Sequence, residues 1–516
     1  MKYALGNMLN GAGGLNPDGL AIDLQFATDR TLTARRGPTP VLTRGSGNNG
    51  GTTYFGPSSF IVDFIYAGSL YSTVIAQQPS LGLSNGRWRW GDGSNVELKY
   101  NGTSWELLYL TSIIHTSSPT TAWLPDNADW GTTGVLISES GDFGIVKAAN
   151  DEPRFDHNPV SPFACRGLLI EEGRTNLFQR SEEFSNTYWA PTRAPQPTAN
   201  AAVSPDGTTT ADKLIADTTP SSNHRVDNAS IPLALSTVYT LSIYAKASEY
   251  TGIALGVGVS LTRGVDYSLV GAGTATPVSG AGHTGTIQQL ANGWYRCTAT
   301  FTSDATTANH RVAIYVGQNG TTFTYTGDNT SGIFIWGAQI EAGSFATSYI
   351  PTTTIALARS ADVCSITGAN FTSTNFFNPS AGTIIAIGSL NTANTNSAPE
   401  VFKFNDGTTS NRIQIGMTNV PTEGIRPFIV ASGTLTYNSN TGTATIGVER
   451  KIGTAYSTND AISVFNGTLG TQDITVTMPT GINQALIGVS FGNGTIASIR
   501  YYRKRLPNAK LQALTA

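Results

Sequence analysis

Apolar and polar residues alternate one by one over long parts of this sequence, and this period of two limits the fold more than any other feature. Residues 238–246 read VYTLSIYAK and residues 294–301 read WYRCTATF, so that every second residue is apolar or small. In a β-strand successive side chains point to opposite faces, whereas a helix needs apolar residues three or four positions apart. The pattern predicts strands with one buried side and one outward-facing side.

Turn residues separate these runs. The 516-residue chain contains 56 glycines and 24 prolines. Asn-Gly pairs, which suit the tight type I′ hairpin because both residues tolerate positive φ, are found at Asn85-Gly86, Asn101-Gly102, Asn292-Gly293, Asn319-Gly320, Asn466-Gly467 and Asn493-Gly494. A helical pattern is scarce and is clearest near the C terminus, where Asn508 is placed to cap residues 509–514. We therefore predict an all-β fold of several antiparallel β-sandwich (jelly-roll) domains in tandem.

Charged residues are scarce and nearly balanced. They make up 13% of the chain, against a typical share of about 25%. The 31 basic and 34 acidic residues give a net charge of -3, which argues against nucleic acid as a partner. The longest apolar runs fall short of a membrane span, so we expect no membrane insertion. The start lacks the pattern of a cleaved leader, and we expect synthesis in the cytoplasm without a signal peptide.

Shifts in composition divide the chain into five predicted regions. Residues 1–50 form an N-terminal region and residues 51–135 a small tryptophan-rich β module that reads as an insertion. Residues 136–180, the most charged stretch, form a connecting segment. Residues 181–357 and 358–516 form one β-sandwich each.

Several segments carry a resemblance to a known group of proteins. The segments NDEPRFDHNPV (150–160), RGLLIEEGRTNL (166–177) and RSEEF (180–184) resemble a signature of bacteriophage and prophage virion proteins of the tail-fibre and tail-spike kind. The segments ADKLI (211–215), YTLSIYAK (239–246), NGWYR (292–296) and GIFIWGAQIEAG (332–343) are similar to a carbohydrate-binding-module-like sandwich of that group. The closing segment 499–514 is similar to the end of a concanavalin-A-like domain.

The resemblance covers residues 136–516 and implies a role. It implies a homotrimeric tail fibre, tail spike or head fibre on the virion surface, made in the cytoplasm of the host. Other virion proteins would be partners of the N-terminal attachment region at 1–50. Host-surface polysaccharide would be the partner of the sandwiches, through weak sites that act together in several copies.

The virion signature contains charges of alternating sign. Such a span suits a loop or a subunit interface held by ion pairs. The residues of this predicted structural signature are Arg154, Asp156, Arg166, Glu171, Glu172 and Arg174. A catalytic alternative uses Asp156 and His157 with Glu171 or Glu172 as acid and base, although neighbouring strand residues point to opposite faces.

Alternation also selects a candidate glycan-binding face. If the apolar residues of the strands around 239–246, 294–301 and 311–316 point inwards, their aromatic and charged neighbours point outwards. Aromatic rings stack on the apolar side of a sugar, and charged groups bind its hydroxyls. The predicted site residues are Tyr244, Lys246, Trp294, Arg296, Arg311 and Tyr315. The alternative is that these aromatics pack against an adjoining domain or another copy of the chain.

Cofactor chemistry has little support in the sequence. The five histidines lack metal-binding spacing, and the three cysteines lie far apart, so we expect no cofactor and no enzymatic activity. A structural Ca²⁺ is left open, with carboxylates available at Asp206, Asp212, Asp328 and Glu341. Two functional alternatives to glycan attachment are a capsid-decorating or tail-assembly protein without glycan binding, and a glycan depolymerase.

Overall fold

A computed structural model describes residues 165–516 apart from 259–262, 363, 369–370, 372–376, 392–399, 418–424, 440–441, 443–444 and 490. Before residue 165 it describes residues 154–157 and the backbone of the strands given below. The described residues up to 176 form the strands β1 (Leu20–Gln25), β2 (Leu32–Arg35), β3 (Thr43–Ser46), β4 (Thr52–Phe55), β5 (Phe60–Tyr66), β6 (Ser69–Ile75), β7 (Leu83–Ser84), β8 (Arg87–Arg89), β9 (Val96–Tyr100), β10 (Trp105–Tyr109), β11 (Gly134–Ile137), β12 (Phe143–Val146), β13 (Phe155–His157), β14 (Cys165–Glu171) and β15 (Arg174–Asn176).

The rest of the chain continues in the same style. Residues 177–342 form β16 (Ala190–Thr192), β17 (Thr198–Ala202), β18 (Ala211–Ile215), β19 (His224–Pro232), β20 (Val238–Ala247), β21 (Gly252–Gly258), β22 (Val265–Ser268), β23 (Thr274–Pro277), β24 (Thr284–Gln289), a 3-10 turn (Ala291–Gly293), β25 (Trp294–Thr302), β26 (Asn309–Gly317) and β27 (Gly332–Ala342). Residues 343–516 form β28 (Leu357–Arg359), β29 (Cys364–Ile366), β30 (Ala381–Leu390), β31 (Glu400–Asn405), β32 (Arg412–Met417), β33 (Ile425–Ala431), β34 (Thr434–Asn438), β35 (Arg450–Ser457), β36 (Asp460–Phe465), β37 (Thr468–Leu469), β38 (Gln484–Ile487), β39 (Asn493–Tyr502) and the helix α1 (Asn508–Thr515).

The first sandwich consists of two six-stranded antiparallel sheets. One has the order β16-β19-β26-β21-β22-β23 and the other the order β17-β18-β27-β20-β25-β24. Apolar residues at every second position of these strands, such as Leu241, Ile243 and Ile314, form the buried core between the sheets. The predicted all-β fold with several antiparallel sheets is confirmed.

The second sandwich draws strands from distant parts of the sequence. Its sheets have the orders β13-β14-β39-β30-β35-β36-β37, with β1 paired to β39, and β29-β38-β31-β32-β33-β34. The segment 136–180 is therefore more than the predicted connection, because β13 and β14 are strands of this sandwich. Leu168 and Ile170 of β14 lie in its core. Further towards the N terminus, β2 joins the strands of the tryptophan-rich module in a seven-stranded sheet with the order β6-β5-β2-β10-β9-β8-β7.

The predictions made from local turn and cap residues agree with the structure at some positions and not at others. Asn466 and Gly467 adopt positive φ between the paired strands β36 and β37, as a tight turn requires. The predicted turn at Asn493-Gly494 is wrong, because both residues begin the central strand β39. Helix α1 is present where predicted, but its N-cap is Pro507 and the predicted side-chain cap is absent there. Within the described residues, no helix has the length and apolar character needed to cross a bilayer.

Candidate functional site

The six residues predicted to form a glycan-binding face lie on two different sheets. Their apolar neighbours in the same strands belong to the core between the sheets, so all six lie on outward-facing sides, as the period of two predicts. Four of them lie on the neighbouring strands β20 and β25, and these are Tyr244, Lys246, Trp294 and Arg296. The other two, Arg311 and Tyr315, lie on β26 in the opposite sheet. The six residues do not form one continuous face, because the outer faces of the two sheets lie on opposite sides of the sandwich.

On the side of β20 and β25 the aromatic residues are covered. Tyr244 and Trp294 are buried together with Trp336 of β27 and Tyr349, and we call these four residues the aromatic layer. Tyr349 belongs to residues 343–352, here called the cover segment. The ring centroid of Tyr349 lies 4.7 Å from that of Trp336 and 6.1 Å from that of Tyr244. The predicted exposure of Tyr244 and Trp294 is therefore wrong.

Arg296 holds the cover segment against this sheet. Its Nη2 donates to the carbonyl oxygen of Thr347 at 2.6 Å and to Oγ of Ser242 at 3.2 Å. Its guanidinium carbon lies 5.4 Å from the centroid of the Tyr244 ring. Lys246 is half-buried and pairs in register with Trp294. This side of the sandwich is therefore a packing layer.

The opposite outer face of the sandwich carries a cluster of arginines. Arg225 of β19 stands opposite Tyr315 of β26 in register, and Ala254 of β21 stands on the other side of Tyr315. Asp266 of β22 is in turn opposite Ala254. We call the charged residues of this face, together with the tyrosine, the arginine face, which consists of Arg225, Asp227, Arg263, Asp266, Arg311 and Tyr315.

Two aspartates fix the three arginines. Arg311 Nη2 donates to Asp227 Oδ2 at 3.0 Å, and Arg225 Nε lies 3.5 Å from Asp227 Oδ1. Arg263 Nε donates to Asp266 Oδ1 at 2.9 Å. Burial raises the pKa of the Asp266 carboxyl, and the nearby Arg263 opposes this rise. Charge-assisted pairs of this kind orient both partners.

The carboxylates lie deeper than the guanidinium groups. The exposed fractions of the side chains are 4% for Asp227, 13% for Asp266, 14% for Arg225, 29% for Arg263 and 40% for Arg311. The face that solvent meets is therefore mainly guanidinium, although two of the five charges are negative.

Aromatic rings support two of the arginines. The guanidinium of Arg225 lies 5.7 Å from the centroid of the Tyr315 ring, and that of Arg263 lies 4.7 Å from the centroid of Phe323. Tyr315 and Phe323 are buried in a small apolar cluster, so the predicted exposure of the Tyr315 ring is wrong. Burial raises the pKa of the Tyr315 phenol, while Arg225, Arg263 and Arg311 oppose the rise. Within the described part of the chain, its hydroxyl makes no hydrogen bond.

Sequence reasoning missed four members of the arginine face. Arg225 and Asp227 alternate with the core residue Val226, and Asp266 stands between the core residues Val265 and Tyr267. The same period of two could have found these three. Arg263 lies just before a strand, where this pattern carries no information.

The residues of the predicted structural signature form ion pairs within the chain. Arg154 is buried, with Nη1 2.5 Å from Glu171 Oε2 and Nη2 2.5 Å from Asp362 Oδ2. Arg359 lies 3.6 Å from both carboxylates. We call these four residues, together with Ser348, the junction. Two further pairs at the surface are Arg166 with Asp156, and Arg174 with Glu172.

The junction holds the cover segment. Arg154 Nη1 donates to Ser348 Oγ at 2.7 Å, and the Ser348 N–H donates to Glu171 Oε1 at 2.9 Å. The Glu171 N–H donates to Asp362 Oδ2 at 2.7 Å. The junction therefore links β14 of the second sandwich to the segment that covers the first.

The charges of the junction bear on the catalytic alternative. Burial would raise the pKa of Glu171, but Arg154 and Arg359 lower it to about 2. Burial raises the pKa of Asp362 to about 6 despite the same arginines. A buried carboxylate with such a low pKa is unsuited to donate a proton near neutral pH. Asp156 is paired with Arg166, and the side chain of His157 lies outside the described residues.

The four carboxylates considered for Ca²⁺ are used inside the protein. Asp206 accepts hydrogen bonds from Ser204 and Thr208, and Asp212 accepts the backbone N–H groups of Ser185 and Asn200. Asp328 and Glu341 likewise accept hydrogen bonds from nearby residues, which are Thr330 and Ser331 for the first and Gln339 and Thr347 for the second. The part of the chain that the structure describes contains no group of three or more His, Cys, Asp or Glu residues able to hold a metal.

Comparisons with known proteins give limited likenesses. No model of a protein family matches the sequence. No curated protein matches it.

The similar solved structures include an arabinanase domain, a sialidase CBM40 and a sialidase. Domain 4 of AbnA, an extracellular arabinanase from Geobacillus stearothermophilus in complex with arabinotriose, is 13% identical over 30% of this chain and 73% of that chain, with a TM-score of 0.25. The CBM40 of Ruminococcus gnavus IT-sialidase bound to alpha2,3 sialyllactose is 14% identical over 27% of this chain and 84% of that chain, with a TM-score of 0.24. A Trypanosoma rangeli sialidase is 10% identical over 93% of this chain and 97% of that chain, with a TM-score of 0.25. The phage resemblance stays a prediction.

Proposed function

We propose that this protein is a structural component of a tailed-phage virion, a tail fibre, tail spike or head fibre, that attaches to host-surface glycan through its first sandwich. The observation that carries glycan binding is the arginine face, where guanidinium groups paired with two aspartates lie at the outer surface over the buried Tyr315 ring. The virion role rests on the resemblance of residues 136–516 to virion proteins.

The arrangement of the arginine face suits sugar hydroxyls. A hydroxyl group both donates and accepts, and paired arginine and aspartate side chains offer donors beside acceptors. Asp227 and Asp266 hold the arginines in place before any ligand arrives, so that little side-chain freedom is lost on binding. Such preorganisation favours a specific ligand even at a shallow site.

Several copies of the protein on one particle would strengthen the weak binding at each site. We propose a homotrimer, as the resemblance implies, that is attached to other virion proteins through residues 1–50. Several weak sites on one particle raise the effective concentration for each further contact. We also propose that the protein binds without cleaving the glycan.

Titration of the purified full-length chain against a panel of bacterial capsular and lipopolysaccharide glycans tests the proposal. We expect saturable binding to at least one glycan, tighter for whole particles than for the isolated chain. We also expect no new reducing ends. Absence of binding throughout the panel, with a copy number on the particle that matches the capsid lattice, would instead establish the decorating role. New reducing ends would establish a depolymerase.

A further inference from the structure

We infer that the arginine face selects acidic saccharides, whose sugar rings carry carboxylates, over neutral ones. This inference rests on the proposed glycan-binding function and specifies its ligand class. The geometry that supports it is the pair of partly exposed guanidinium groups of Arg263 and Arg311, each held by a less exposed aspartate.

The charge of this face differs from that of the chain. Three arginines against two aspartates give the arginine face a surplus of one positive charge, whereas the whole chain has a net charge of -3. Only 13% of all residues are charged. A local excess of cations in such a chain attracts an anionic group towards this face rather than to the molecule in general.

The lower exposure of the aspartates increases the excess of positive charge at the surface of this face. Asp227 and Asp266 are nearly buried, while Arg311 and Arg263 are the most exposed side chains among the five. The aspartates therefore orient the arginines from below, and a ligand that approaches from solvent meets guanidinium first. A neutral sugar gains less from this arrangement than an acidic one, because its hydroxyls bear no charge to pair with the surplus.

Free donors remain on the exposed arginines. Arg263 uses Nε for Asp266, and within the described residues its two Nη groups donate no hydrogen bond. Arg311 uses Nη2 for Asp227, and its Nη1 is likewise free among the described residues. Pairs of guanidinium N–H groups match the two oxygens of a carboxylate.

Carboxyl reduction of a polysaccharide provides the sharpest test. Polygalacturonate, alginate, hyaluronan and polysialic acid are each titrated into the full-length chain beside the same polymer with its carboxylates reduced to alcohols. We expect at least one acidic polymer to bind, and its reduction to weaken binding about tenfold or more, as loss of a charge-assisted contact does. Added salt should weaken the binding of the acidic form.

Three results would overturn the inference. If none of the four acidic polymers binds, or if reduction leaves the affinity unchanged, the face does not select carboxylates. In both cases binding of a neutral glycan from the panel described above would leave the proposed function standing. Dextran sulfate that binds as tightly as the best acidic polymer would also overturn it, because any anion would then suffice.

Matched variants place the effect on the arginine face. Arg311→Gln and Arg263→Gln should each weaken binding of the acidic polymer about tenfold. Arg311→Lys, which keeps the charge but loses the planar pair of donors, should weaken it less. The control is Arg180→Gln, which removes a similarly exposed arginine that is paired with Glu183 at 2.8 Å outside this face.

The control should bind like the unmodified chain, and the thermal midpoints of the four variants should differ little. An equal loss of affinity in Arg180→Gln would show that net charge alone is responsible, and would overturn the assignment to the arginine face.

Discussion

The two outer faces of the first sandwich differ although their strands follow the same alternation. On one side the outward-facing aromatics are buried: Tyr244 and Trp336 pack against Tyr349 of the cover segment 343–352, and Trp294 donates its Nε1–H to the carbonyl oxygen of Val203. On the other side the outward-facing residues are arginines fixed by aspartates, and their guanidinium groups reach solvent. The period of two thus determines which way a side chain points, and the connecting segments determine whether it stays exposed.

The comparison explains why the richest aromatic surface is not the candidate binding site. Large aromatic rings that face away from a core bury much apolar area when a segment packs over them. Arginines paired to aspartates favour contact with water, so there is less gain in covering them. We therefore expect changes in the aromatic layer to affect mainly stability, and changes in the arginine face to affect mainly binding.

Truncation of the aromatic layer should have the largest effect on stability. Trp336 is buried against Tyr244 and Tyr349, and its Nε1 donates to Thr210 Oγ1 at 2.9 Å. Trp336→Ala should lower the free energy of unfolding by about 3 to 5 kcal/mol in denaturant titrations. Trp336→Phe, which keeps a ring, should cost less. A loss below about 1 kcal/mol for the alanine variant would contradict a packed layer.

Removal of the central arginine of the junction should have the next largest effect. Arg154→Met leaves Glu171 and Asp362 buried with only Arg359 nearby, which should cost about 3 kcal/mol. Because Arg154 also binds Ser348, we expect the cover segment to loosen and iodide to quench tryptophan fluorescence more strongly.

The control for this variant is Arg166→Met, which breaks a half-exposed pair with Asp156 and should cost less than about 1 kcal/mol. Equal losses in the two variants would contradict the special role of the junction.

Acid should weaken the junction through Glu171. Its pKa is lowered from 4.5 to about 2, so the ionised form is favoured in the folded state. Its contribution to stability is complete above about pH 4.5 and is lost as the pH falls towards 2. Glu171→Gln should remove this part of the pH dependence. Asp362, with a pKa raised to about 6, is already largely protonated there. If the free energy of unfolding changes with pH in the same way for Glu171→Gln and for the unmodified chain between pH 4.5 and 2, the assignment to Glu171 is contradicted.

The arginine face should contribute least to stability. Arg263→Ala removes a partly exposed pair with Asp266 and should change the free energy of unfolding by less than about 1 kcal/mol, while glycan binding falls. Denaturant titration and glycan titration of the same preparation measure both effects. A large loss of stability with unchanged binding would reverse the proposed division between the two faces.

The sequence predicts strands and their inward-facing sides well, because both follow from local alternation. Partners of a strand depend on contacts far apart in the chain. Nothing in residues 311–316 indicates that β26 lies between β19 and β21, in the sheet opposite β20. For the same reason the place of β14 beside β39 was missed. The charged residues around β14 are equally compatible with a connecting segment and with a buried strand.

Packing also overrides the turn preference of a short sequence. Asn493-Gly494 has the composition of a hairpin turn, but Gly494 lies in a strand where a side chain would collide with Ser389 and Phe491. Likewise the junction joins Arg154 to Asp362 across 208 residues, so its charges appeared in the sequence as a local cluster without their main partner. Of the six residues of the arginine face, Arg311 and Tyr315 were predicted from alternation, and the same pattern marks Arg225, Asp227 and Asp266 as outward-facing, whereas the pairing of their strands depends on contacts far apart in the chain.

A structure of the full-length chain with a bound oligosaccharide from the tightest polymer tests the central claim most directly. The account predicts a sugar carboxylate within hydrogen-bonding distance of Arg311 or Arg263, with the cover segment still packed on Trp336. A sugar stacked on Tyr244 or Trp294, with the cover segment displaced, would contradict it.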